Sequence, residues 1–141
     1  MKVFISWSGK RSRKTAEALK EWLQQVIQAV EPWFSGDIEK GKRWSEEISA
    51  ELEESKLGII CLDKENTDEP WILFEAGAIA KTKDARVCTF LLDLLPSDVK
   101  QPLGQFQHTQ FDKEDVRKLM NDINQMVKDV GRYNQKLWIG R

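Results

Sequence analysis

One histidine, one tyrosine and two cysteines occur in a chain of 141 residues. That scarcity excludes a four-ligand zinc site of the usual His/Cys kind. It leaves chemistry to carboxylates, hydroxyls, basic groups or aromatic rings. An excess of charge of either sign is also missing: 22 Lys plus Arg face 23 Asp plus Glu, for a net charge of −1. Non-specific nucleic-acid binders draw their affinity from neutralising phosphates, so direct nucleic-acid binding is not expected. No apolar run approaches the ~20 residues of a membrane span. The start, Met1-Lys2-Val3-Phe4-Ile5, enters a strand-like segment at once and lacks the apolar stretch and small-residue cleavage site of a signal peptide. Cys61 and Cys88 both sit in apolar runs and read as buried free thiols, as suits a reducing, cytoplasmic compartment.

What is present is a hydrophobic fraction of 40%, a charged fraction of 32% and six tryptophans. Those proportions suit one well-solvated domain with its own core. We read residues 1–141 as a single domain, regular over about 2–130, with 131–141 a tail or the start of a linker. Val3 to Trp7 reads as a short buried strand. A polar turn follows, and Ser12 is placed as a helix cap. Leu19, Trp22, Leu23, Val26, Ile27 and Val30 recur at helical spacing on one face, with Pro32 as the stop. Trp33-Phe34 opens a second short strand. After a loop over 35–43, Ser45-Glu46-Glu47 opens a helix with Ile48 and Leu52 inward. Leu57 to Leu62 is a continuous apolar run, as a central parallel strand requires. Pro70 leads a third helix to about Thr82. Arg86 to Leu92 is a strand, Phe106 to Phe111 a shorter one, and Asp112 caps a last helix with Val116, Leu119, Met120, Ile123, Val127 and Val130 on one face.

Strand alternates with helix about five times. The expected fold is α/β: a flavodoxin-like open parallel sheet of about five strands with helices on both faces. Such sheets bind ligands beyond the carboxyl ends of their strands, where strand order reverses. That directs attention to the loops at 8–11, 35–44 and 63–71.

Several patterns compete there. Gly36-Asp37-Ile38-Glu39-Lys40-Gly41-Lys42-Arg43 nearly spells a P-loop, but Arg43 stands where the magnesium-binding hydroxyl belongs, and two acids would face the triphosphate. Glu75 is the one acid between Glu69 and Asp84, in the apolar stretch Trp71-Ile72-Leu73-Phe74-Glu75-Ala76, four residues after Trp71 and so on the same helix face. A lone carboxylate in such a segment is either functional or held in an ion pair, with Lys81 or an arginine as the partner. Lys10, Arg11, Arg13 and Lys14 follow the first strand, and Lys40, Lys42 and Arg43 the second. They are either solvated loops or a rim suited to a phosphate-bearing substrate. His108 lies in a polar–apolar alternation and reads as a strand-surface residue. The residue types point to no metal site.

Three of these segments resemble a known family. Val3-Phe4-Ile5-Ser6-Trp7-Ser8 is similar to the first box of Toll/interleukin-1 receptor (TIR) domains, phenylalanine-isoleucine-serine-tyrosine. Gly36-Asp37-Ile38-Glu39-Lys40-Gly41 occupies the place of that family's BB loop, though without its Arg-Asp and Pro-Gly pairs. Pro70-Trp71-Ile72-Leu73-Phe74-Glu75 resembles the tryptophan-three-glutamate motif of the NAD-cleaving members. The C-terminal phenylalanine-tryptophan box is reduced to Leu137-Trp138. The resemblance runs from Lys2 to about Val130 and is to a bacterial TIR domain of the antiphage-defence kind.

The resemblance implies an NAD+ glycohydrolase or ADP-ribosyl cyclase, with NAD+ as substrate and no cofactor. Glu75 would be the catalytic carboxylate. Ser6, Trp7, Ser8, Arg11, Asp37, Lys40, Arg43, Trp44 and Trp71 would bind the substrate. The chemistry suits these residues. Nicotinamide leaves NAD+ as a neutral molecule, so no general acid is needed, unlike the paired carboxylates of ordinary glycosidases. A single carboxylate can stabilise the oxocarbenium-like ribose, and an indole can stack on nicotinamide or adenine. The resemblance further implies TIR–TIR self-association, and a sensor domain or partner protein as trigger. Two other readings stand beside it: a non-catalytic TIR interaction module, and a nucleoside deoxyribosyltransferase in which the glutamate attacks C1′.

Overall fold

A computed structural model describes the backbone of residues 1–34 and 46–139, and side chains over 1–33 and 48–130. Five strands are described: β1 (Lys2–Ser6), β2 (Glu31–Phe34), β3 (Leu57–Leu62), β4 (Arg86–Leu91) and β5 (Gln107–Gln110). Four helices accompany them: α1 (Lys10–Val26), α2 (Glu46–Glu54), α3 (Pro70–Ala80) and α4 (Lys113–Ile139). All strand pairs are parallel, in the order β2-β1-β3-β4-β5. The order reverses between β1 and β3, where Ser6 stands opposite Ile60.

Strand alternation sends side chains to two cores. Val3, Ile5, Ile59, Cys61 and Phe90 pack with Leu19 and Leu23 of α1 and Leu119 and Ile123 of α4. Phe4, Ile60, Leu62 and Leu91 pack with Ile48 and Leu52 of α2 and Ile72, Ala76 and Ile79 of α3. β3 is buried along its whole length, which explains why its sequence is a continuous apolar run rather than an alternating one. Gly58 makes room for α3: a Cβ there would lie 2.5 Å from Ile79 Cδ1.

Local details differ from the sequence expectations in informative ways. α1 starts at Lys10, and its N-cap is Gly9 at φ 90°, a left-handed conformation that glycine takes at no steric cost. Ser12 is therefore not the cap. It sits in the first turn, where its hydroxyl donates to Ser8 O at 2.5 Å and accepts the Ser8 N–H at 2.9 Å. α1 ends at Val26, six residues before Pro32, and Val26 is 52% exposed instead of facing the core. Ile27 turns to an extended conformation and takes the buried place, and Pro32 lies inside edge strand β2. At the edge of a sheet a proline costs no ladder hydrogen bond. α3 ends at Ala80 and β4 at Leu91. Asp112 does cap α4, its Oδ1 accepting the Asp115 N–H at 2.8 Å. α4 continues as helix through Ile139. Cys61 and Cys88 are buried free thiols.

Candidate active site

Glu75 projects from the second turn of α3 toward the carboxyl end of β1. It is 0% exposed. The Ser6 hydroxyl, also fully buried, donates to Glu75 Oε1 at 2.9 Å. This contact is built by the register: Ser6 shares its strand face with Phe4, the side covered by α2 and α3. Ile72, Ala76 and Ile79 hold α3 against that face, and Gly58 lets it approach. A carboxylate buried this completely is costly unless hydrogen bonds compensate it. Lys81, the neighbouring cation on the chain, is exposed and enters no ion pair among the described residues. The Glu75–Lys81 pairing is thus not formed.

Trp71 stands one turn before Glu75, half-buried and stacked on Phe74 at 5.3 Å between ring centroids with 24° between planes. Phe74 is 42% exposed, so the mouth of α3 presents an aromatic surface. Trp7 follows the other alternation. It packs with the α1 core, and the Arg13 guanidinium lies 5.6 Å above its ring. Trp7 and Glu75 therefore belong to opposite faces of the sheet. Arg11 reaches across to an ion pair with Asp93, after β4. Arg13 pairs with Glu17 at 3.1 Å. Asp37, Lys40, Arg43 and Trp44 lie outside the described residues, as does the loop at 35–45 that resembles a BB loop.

Sequence reasoning missed Asn66. It is buried, and it ties the loop after β3 to the loop after β1. Its Oδ1 accepts the Asp63 N–H at 2.9 Å, and its Nδ2 donates to Ser8 O at 3.0 Å and to Cys61 O at 3.1 Å. Asp63 Oδ1 in turn accepts the Glu65 N–H at 2.8 Å. The Asp-x-x-Asn spacing after a strand is the signal that was available, since short polar side chains there bond their own backbone. The Ser8 backbone carbonyl thus anchors the loop after β1.

Among the described residues no group of His, Cys, Asp and Glu could hold a metal ion, and no helix is long and apolar enough to cross a membrane. His108 on edge strand β5 is hydrogen-bonded through Nδ1 to Thr89 and lies far along the sheet from Glu75 in strand order.

The architecture defines a doubly wound α/β domain with a buried helix carboxylate at its topological switch point. The chain belongs to the TIR domain family, whose model matches residues 3–126. Two solved structures share the fold. The TIR domains in the activated Roq1 resistosome directly recognizing the pathogen effector XopQ align with a TM-score of 0.57 and 20% identity, over 94% of this chain and 76% of that one. A prokaryotic SEFIR domain aligns with a TM-score of 0.63 and 13% identity, over 89% of this chain and 97% of that one. No curated protein matches the chain.

Proposed function

We propose that this TIR domain cleaves the N-glycosidic bond of NAD+, with Glu75 as the catalytic carboxylate, and acts as a bacterial immune effector switched on by self-association. The observation that carries the reading is the placement of one fully buried glutamate at the switch point, held by Ser6 at 2.9 Å. The bond between ribose C1′ and the nicotinamide nitrogen breaks with its electron pair leaving on the nitrogen. The cation left on the ribose is stabilised by the carboxylate. Water then bonds to C1′ and releases a proton, giving ADP-ribose; attack by a hydroxyl or ring nitrogen of the same molecule gives a cyclic product. The aromatic surface of Trp71 and Phe74 supplies a stacking wall beside the carboxylate. With no solvent exposure, Glu75 reaches a substrate only when what covers it rearranges. That agrees with an enzyme that is quiet as a monomer.

A second reading is favoured by the same burial: Glu75 as a purely structural partner of Ser6 in an interaction module. One experiment separates the two. Concentrated protein is incubated with NAD+ and nicotinamide release is followed by chromatography, for wild type and Glu75→Gln, alongside thermal melts. The amide keeps the volume and can still accept the Ser6 hydroxyl. Loss of turnover by at least a hundredfold with a melt within a few degrees of wild type supports catalysis. Undiminished turnover in Glu75→Gln removes the assignment. A large drop in melting temperature, with no turnover by wild type at any concentration, establishes the interaction module.

A further inference from the structure

On the other face of the sheet, α1 and α4 leave a groove of about 640 Å³ open above the carboxyl half of β4. Its walls are apolar: Leu19 and Trp22 from α1, Phe90 from β4, Phe111 from the end of β5, and Val116 from α4. Phe111 sets its ring edge-on to Phe90 at 5.8 Å, yet remains 68% exposed. An aromatic ring left this open at the lip of an apolar groove is surface that a ligand body would cover. The volume falls in the ordinary range for small-molecule sites, about 300–1,000 Å³.

The rim carries two lysines and one acid. Lys14 on α1 and Lys113 on α4 both border the groove, and neither enters an ion pair among the described residues. The one acid in the lining, Asp112, caps α4 through the Asp115 N–H, so two cations and one anion border the groove. Apolar walls with two ammonium groups at the mouth, outside any ion pair among the described residues, suit a ligand with an apolar body and an anionic end.

We propose that this groove binds a small anionic amphiphile, an aliphatic or aromatic body ending in a carboxylate, with the body against Trp22, Phe90 and Phe111 and the carboxylate met by Lys14 and Lys113. The site is separate from Glu75, which α3 presents from the opposite face. It stands or falls independently of NAD+ cleavage.

The test is calorimetric titration of the full chain with dodecanoate below its micelle concentration, and with dodecanamide as the neutral probe. Two variants accompany wild type. Ala18→Trp fills the groove from an exposed position that lines it. Lys14→Glu/Lys113→Glu reverses the rim. We expect one saturable site for dodecanoate, at least tenfold weaker binding of dodecanamide, and at least tenfold weaker dodecanoate binding by each variant at unchanged melting temperature. Absence of saturable binding, equal affinity for the amide, or binding that survives Ala18→Trp overturns the proposal. So does a wild-type dimer that Ala18→Trp converts to monomer, because a second copy would then be the occupant of the groove.

Discussion

Ser6 and Glu75 show how much one side-chain pair can decide. Both are excluded from solvent, and the serine hydroxyl gives the carboxylate a donor that water no longer supplies. The thiols on the opposite face illustrate burial without a donor. Burial pushes the Cys61 thiol up, with Cys88 adding to it, and burial followed by the nearby Asp122 pushes Cys88 up to about 12 from 9.0. A thiol whose folded value is raised keeps its proton while the unfolded chain gives it up. Its contribution to stability is therefore complete below about pH 9 and is lost as the pH climbs toward 12. Thermal melts at pH 8 and pH 10 check this. The midpoint of wild type should fall more between the two than that of Cys88→Ala, and equal falls would show that the thiol does not carry the effect. In the native state neither thiol should react with an aromatic disulfide reagent at pH 8, because the thiolate is the reactive form.

At the scale of elements, α3 is the part that brings Glu75 to the sheet, and two small features seat it and the loops beside it. Gly58 is the first. Ile79 is fully buried, and a methyl at position 58 would meet its Cδ1 at 2.5 Å and its Cγ2 at 3.3 Å, so that side chain or α3 itself must shift. Gly58→Ala should cost about 1–3 kcal/mol in chemical denaturation and reduce any Glu75-dependent turnover. Adding Ile79→Val removes the Cδ1 atom that clashes and should recover part of the loss. If the double variant is no more stable than the sum of the two singles, the clash is not the cause. Asn66 is the second. Asn66→Ala strands the buried Asp63 N–H and frees the loop after β1, at about 1–3 kcal/mol; a change below half a kcal/mol in the same denaturation series would show that the loops are held by other contacts. These elements were not equally legible beforehand. β3 and the start of α3 could be read from the sequence because a continuous apolar run and a proline in the first turn each have one structural meaning. The end of α1 could not. Val30 keeps the helical spacing past the point where the chain turns into the loop before β2, and periodicity does not register a turn made by Ile27. Asn66 was hidden in a polar loop whose hydrogen bonds run to backbone atoms of another loop. Trp7 and Trp33 both fall near strand ends. The strand parity was available to divide them: Trp7 follows Val3 and Ile5 onto the α1 face, whereas Trp33 packs on Phe4 at 5.2 Å on the face that carries Glu75.

At the scale of the whole molecule, the proposed activity is tied to concentration. A net charge of −1 offers little long-range repulsion between copies. A glutamate that is closed off in the single chain needs a rearrangement before it meets NAD+. If association of two copies supplies that rearrangement, the active fraction at low concentration grows in proportion to total protein, and specific activity rises linearly before it levels off. A crowding polymer or a fused dimerisation segment should move the same curve to lower protein concentration, since a tether replaces free diffusion with a high effective concentration. Nicotinamide release per mole of protein, measured over a hundredfold range of concentration with sedimentation at each point, checks the expectation. Activity that tracks the associated fraction supports assembly-switched cleavage by Glu75. Activity per mole that stays flat while the sedimentation changes would mean that a single copy opens its own site. The search for the trigger would then move from the interface between copies to the packing over α3.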